Sequence, residues 1–253
     1  MLFVEFNQLT QIFGLTTLIY LLINLIFGSI ILQKAIKTKA RLLFVFFFCI
    51  IFTSSPWFPS GYGYLFWLLT RKTLEYRIYV LLGTIFVPIA ILTWLYIYLT
   101  TIKPAIRNHV LVVYGILSII FEIYIIYFLF MAPGAPVKIM IGTFDNPDNP
   151  IDISYKGFIL LYRAISILTA SITGIHFSLR SMRSKNIEVM WKGRFLLLSF
   201  LLFACLALAD VLLLMTPILL VLLRVLLVMA TIFFYLGFIL PEWLKKLLLT
   251  ENL

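Results

Sequence analysis

Seven stretches of about twenty apolar residues, set apart by short polar breaks, leave this chain few ways to fold. An α-helix rises about 1.5 Å per residue, so about 20 apolar residues cross a hydrocarbon layer about 30 Å thick with every backbone group paired internally. The spans read as 9–33, 41–58, 76–101, 109–131, 157–179, 194–216 and 218–240. Composition agrees, because 63% of the 253 residues are hydrophobic and only 12% are charged, against about 45–50% and about 25% in soluble domains. The short alternating segments of a β-barrel are absent. The reading is an all-α integral membrane protein, a single seven-helix transmembrane domain over 1–253.

Lysine and arginine set the expected orientation. Lys34, Lys37, Lys39, Arg41, Lys103, Arg107, Arg180, Arg183, Lys185, Lys192, Arg194, Lys245 and Lys246 fall on one side. The other side holds Arg71, Lys72, Arg77, Lys138 and Lys156. The richer side is expected in the cytoplasm, which puts the N-terminus outside the cell membrane and the C-terminus inside. Glu5 precedes the first span and no Lys or Arg does, so the segment lacks the basic start of a cleaved signal peptide and is expected to stay as an anchor. The net charge of +10 then serves topology and an inner rim facing anionic lipid, with no nucleic-acid partner implied.

Three segments between spans carry further information. The stretch 54–72, with Pro56, Pro59, Gly61 and Gly63 among aromatic residues, fits either an interfacial or re-entrant helix or one long kinked span. In 132–156, Val137–Thr143 and Ile151–Tyr155 have strand-like composition around a turn rich in Asp, Asn and Pro, which predicts a short β-hairpin lid on the outer face. Asp145, Asp148 and Asp152 in that turn lack the spacing of a calcium loop. In the tail, 241–253, Trp243, Leu244, Leu247 and Leu248 share a helix face beside Lys245 and Lys246, the pattern of an amphipathic helix lying on the inner leaflet.

Charges inside the spans are the candidate site. Pro217 stands midway between Asp210 and Arg224, so a turn at Thr216 and Pro217 places the two at equal depth on neighbouring antiparallel helices. A lone charge at the bilayer centre costs about 2.5–3.5 kcal/mol on insertion scales, which predicts an inward-facing ion pair. Glu122 and Arg163 lie at similar depth on spans four and five and form a second candidate pair. The alternative has Arg163 reaching for the surface and Glu122 protonated. With both pairs facing inward, Glu122, Arg163, Asp210 and Arg224 would line a chamber for a polar or amphipathic ligand. Asn24, Thr169, Ser171 and Thr173 are candidates for bonds between helices. Cys49 and Cys205 read as packing thiols.

No catalytic Ser/His/Asp set, metal-binding motif or phosphate-binding loop can be read, and span seven has no lysine for a retinal Schiff base. The expectation is a protein that is not an enzyme and carries no metal or cofactor. A faint internal echo pairs 39–48 with 192–201 and 98–104 with 235–241, as a three-plus-one-plus-three repeat would.

Seven spans, an outside N-terminus, a flat helix after the seventh and the closing stretch "FYLGFILPEWLKK" (234–246) resemble the seven-helix sensory modules of prokaryotic, especially archaeal, signalling proteins, and broadly the layout of G-protein-coupled receptors. The resemblance implies a receptor-like module that binds a small or lipidic ligand in its outer half. Those modules continue into an output domain, and this chain ends at Leu253, so the signal is expected to pass to a separate partner through Arg180, Arg183, Lys185, Lys192 and Arg194. Two other layouts stay open. One is a small transporter that resembles the SWEET carriers in span count and orientation but lacks their Pro-Gln dipeptide, with Pro88 available to kink span three. The other is a subunit of a larger membrane assembly.

Overall fold

The computed structural model of the chain describes residues 5–132, 134–144, 151–212 and 216–250. Helix α1 (Gln8–Thr38) starts where Asn7 Oδ1 accepts from the backbone N–H of Thr10 at 2.8 Å, an N-cap that satisfies one orphan donor. Helices α2 (Arg41–Thr53) and α3 (Phe58–Thr70) are joined by a single 3-10 turn over Ser55–Trp57. Pro56 and Pro59 sit in first turns, where a missing N–H removes no bond. Ser54, Ser55, Trp57, Ser60, Tyr64 and Trp67 are all buried, so 54–70 continues one kinked span through the bundle and does not lie flat at its surface.

Helices α4 (Tyr76–Thr84) and α5 (Val87–Ile102) make the next span, interrupted at Ile85 and Phe86 just before Pro88. Helix α6 (Arg107–Ile126) runs on through a π-turn at Tyr127–Met131. After a short helix α7 (Ala135–Met140) and the strands β1 (Gly142–Phe144) and β2 (Ile153–Tyr155) come α8 (Gly157–Met182), α9 (Ile187–Leu212), α10 (Pro217–Phe238) and α11 (Glu242–Thr250). Among the described residues seven helical segments are long and apolar enough to cross a membrane. Their outward faces are rich in exposed Leu and Ile, such as Leu22, Ile123 and Ile218, an apolar surface far beyond the few hundred Å² that soluble monomers tolerate.

Six spans close a ring in chain order. The kinked α2–α3 span packs on α1 and on α5, α5 on α8, α8 on α9, α9 on α10, and α10 returns to α1. Helix α6 leans on α5 and α8 from outside that ring. Aromatic stacking seals the ends: Phe6 on Trp67 at 4.6 Å near the start of α1, and Phe46 on Phe238 at 3.5 Å toward the other end.

Three expected boundaries differ. Residues 137–140 are helical, not a strand, because Pro136 opens a turn in which Val137 and Ile141 are both buried and the residues between them face out, a period near four and not two. Only Gly142–Phe144 pairs antiparallel with Ile153–Tyr155, and the segment 145–150, with Asp145 and Asp148, lies outside the described residues. The basic stretch 180–194 is helix on both sides of a turn at 183–186, and Asn186 Oδ1 accepts from the N–H groups of Glu188 (2.9 Å) and Val189 (3.3 Å) and so starts α9 seven residues before the expected span.

Candidate functional site

A cavity of about 880 Å³ runs down the centre of the ring, within the range of about 300–1,000 Å³ usual for small-molecule sites. Every span except α6 contributes to its wall, and residues 151–155 close one end. The wall is mostly aromatic and aliphatic, with Phe13, Phe46, Trp57, Trp94, Phe200 and Phe234 among it.

The lid end is held by tyrosines. Tyr79 OH donates to the carbonyl of Ile151 and lies 3.0 Å from Ser60 Oγ, while Tyr76 OH donates to the Gly142 carbonyl at 2.6 Å. Phe144 meets both tyrosine rings edge-on. Tyr155 reaches down beside α4, where a Cβ on Gly83 would come within 2.6 Å of its hydroxyl; a glycine is what lets the two approach. Burial pushes the Tyr155 hydroxyl up to about 12, the guanidinium of Arg163 pulls it the other way, and Asp152 adds to the rise. The Arg163 guanidinium stands 4.5 Å from the Tyr155 ring centre, in the cation–π range.

Deeper in, the wall carries buried polar atoms without hydrogen-bond partners: Asn24 Oδ1 and Ser171 Oγ. Each stranded atom of this kind costs about 1–3 kcal/mol, so in a fold this apolar they mark a place where a ligand's polar group would be stabilised. Thr169 and Thr173, expected to bond between helices, do so. Tyr114 OH lies 2.6 Å from Thr169 Oγ1, and Trp94 Nε1 donates to Thr173 Oγ1 at 2.8 Å.

The charged residues singled out in the sequence part company. Arg163 lines the cavity. Glu122 does not, because it belongs to α6; its Oε1 is buried without a hydrogen bond, and no ion pair joins it to Arg163 among the described residues. Arg224 is 3% exposed and faces protein: Nε donates to Thr17 Oγ1 at 3.1 Å, and the guanidinium stands 5.1 and 5.7 Å from the rings of Phe13 and Trp57. The side chain of Asp210 lies outside the described residues, and the expected pair with Arg224 lies there with it.

At the opposite end, Lys192 bonds Glu188 at 2.7 Å, and Lys245 bonds Glu188 and Glu242 at 3.2 Å each. Lys192 is therefore spent within the fold. Arg194 lies over the Trp191 ring at 4.4 Å. Arg180, Arg183 and Lys185 stand at the end of α8 and in the turn that follows.

Sequence reasoning missed Tyr79, Ser60, Tyr155 and Trp94, the residues that build the lid seat and the aromatic wall. Their type gave no signal, since tyrosine and tryptophan at span ends also read as interfacial anchors. Comparison of the chain with known protein families, with curated proteins and with solved structures found no match.

Proposed function

We propose that this is a multi-pass protein of the cell membrane, with the lid outside and the basic end in the cytoplasm, working as a receptor-like sensor. A small or lipidic ligand sits in the central chamber, and a separate partner reads the state of the helices at the basic end. One observation carries this reading: a cavity of about 880 Å³ closed at one end by residues 151–155 and lined by six spans that include buried, unpartnered polar atoms. A chamber touched by six helices can convert occupancy into a change of helix packing, which is what a sensor requires. The basic residues Arg180, Arg183 and Lys185 suit an acidic face on the partner.

A carrier is the second reading, favoured by the interruption of the third span at Ile85 and Phe86 beside the lining residue Val87, since broken helices at mid-membrane sites are a habit of transporters. Reconstitution into sealed vesicles separates the two. Saturable binding with no ligand flux is the expected result; flux that saturates with ligand would replace the sensor with the carrier.

A further inference from the structure

The chamber is not closed all round. Leu160, Ala164 and Leu168 recur at helical spacing on α8 and line the cavity, yet all three are exposed; across from them Leu208 on α9 does the same. At the basic end the two helices touch: a Cβ on Gly193 would stand 2.7 Å from Met182 N and 2.9 Å from Ser178 O. Contact at one end and lining residues open to the outside at the other mean that α8 and α9 splay toward the lid. The gap faces the surrounding hydrocarbon, because the residues beside it are Leu161, Ile165, Leu201 and Cys205, all exposed and apolar.

The polar groups of the chamber are ordered along its length. Arg163 lies near the lid, next to Tyr155. Ser171 follows eight residues along α8, about 12 Å deeper at about 1.5 Å per residue. The wall around and beyond it is made of rings such as Trp94, Phe200 and Phe234. The Asp152 carboxylate also lines the lid end, but no ion pair ties Arg163 to it or to another acid among the described residues. An uncommitted guanidinium at the rim, a long apolar passage below it and a side opening onto the lipid describe one kind of occupant.

Resting on the chamber reading above, we infer that the ligand is a single-chain amphiphile with an anionic head, which slides in from the lipid layer through the slot between α8 and α9, sets its head at Arg163 and lays its chain along the aromatic wall. Carboxylate and phosphate heads share the chemistry that a guanidinium recognises. A hydroxyl partway down the chain would donate to Asn24 Oδ1 or bond Ser171 Oγ, and a carbonyl there would accept from Ser171 Oγ.

The test uses the full chain in nanodiscs of phosphatidylcholine, titrated with oleate, oleoyl lysophosphatidate and oleyl alcohol, with binding read by native mass spectrometry. Oleate or lysophosphatidate is expected to bind saturably and about tenfold more tightly than the alcohol, and whichever acid binds better identifies the head. Arg163→Gln should erase that preference while Arg163→Lys keeps it. Ala164→Trp with Leu208→Trp, both on exposed positions, should slow association several-fold and leave the thermal midpoint unchanged. Equal binding of acid and alcohol, a preference that survives Arg163→Gln, or unchanged association in the double tryptophan variant would overturn the inference. If short water-soluble ligands bind and none of the amphiphiles does, the inference falls and the chamber reading stands; if nothing binds, both fall.

Discussion

Arg224 Nε donates a hydrogen bond to Thr17 Oγ1 at 3.1 Å, tying the last of the seven spans to the first. Both residues are buried, and the guanidinium is flanked by Phe13 and Trp57. Replacing Thr17 by valine keeps the shape and deletes the acceptor, which for a charged donor in an apolar setting costs about 1.5–3 kcal/mol. Thr17→Val should therefore lower the unfolding temperature in micelles, and Thr17→Ser should restore most of it. Identical melting of the valine variant and the native chain would show that the bond contributes nothing.

The seat of the lid is steric. Gly83→Ala would set a methyl group 2.6 Å from the Tyr155 hydroxyl, and overfilling a packed site costs about 1–3 kcal/mol. Hydrogen exchange across 151–156 should accelerate in this variant, while exchange in α10 stays as it was. Uniform acceleration over the whole chain would assign the effect to general instability and remove the lid from the explanation.

The two cysteines offer a check on the ring itself. Cys205 is exposed on α9 and Cys49 is buried where α2 faces the cavity. A bulky, charged maleimide in detergent, too large and too polar for the apolar slot, should modify Cys205 alone, and Cys205→Ser should leave the protein unlabelled until it is unfolded. Rapid labelling of Cys49 by that reagent in the folded serine variant would mean that water and polar solutes reach the α2 wall, and the buried placement of Cys49 would fall.

Helix α11 is fastened by charge. Hydrogen bonds that it donates to Glu188 and then to Glu242 hold the Lys245 ammonium above the ordinary lysine value. A group raised in the folded state contributes stability that is complete below its unfolded value and is lost as pH climbs through the folded one. Protease cleavage within 242–250 should thus be flat from neutral pH up to the lysine range and rise beyond it. Glu188→Gln should give the fast cleavage already at neutral pH; the same slow cleavage there would dismiss the fastening.

The spans were legible because hydrocarbon thickness fixes how many apolar residues a crossing needs, and seven runs of that length yield seven long apolar helical segments among the described residues. What depth cannot supply is rotation. Glu122 and Arg163 stand at similar levels, yet α6 lies outside the ring and its carboxylate never reaches the chamber. Spans that are apolar on every side carry no stripe to say which face turns inward, so the meeting of Trp94 with Thr173 or of Tyr79 with Ile151 could not be read. The same limit hid the cavity, which is what remains when side chains from six helices fail to fill a common axis. Around Val137 the error was one of period: a run too short to separate two from four was settled by Pro136.

Helix α8 has one more property. Four side-chain bonds run to it from two neighbours, Trp94 and Tyr98 of α5 reaching Thr173 and His176, and Tyr114 and Ser118 of α6 reaching Thr169 and Tyr162. Twisting α8 about its own axis would break all four at once, at about 0.5–1.5 kcal/mol each. Tilting it together with α5 and α6 would break none. These three helices are thus geared to swing as one slab, and the outlying sixth helix, which never meets the chamber, is carried along as its keel.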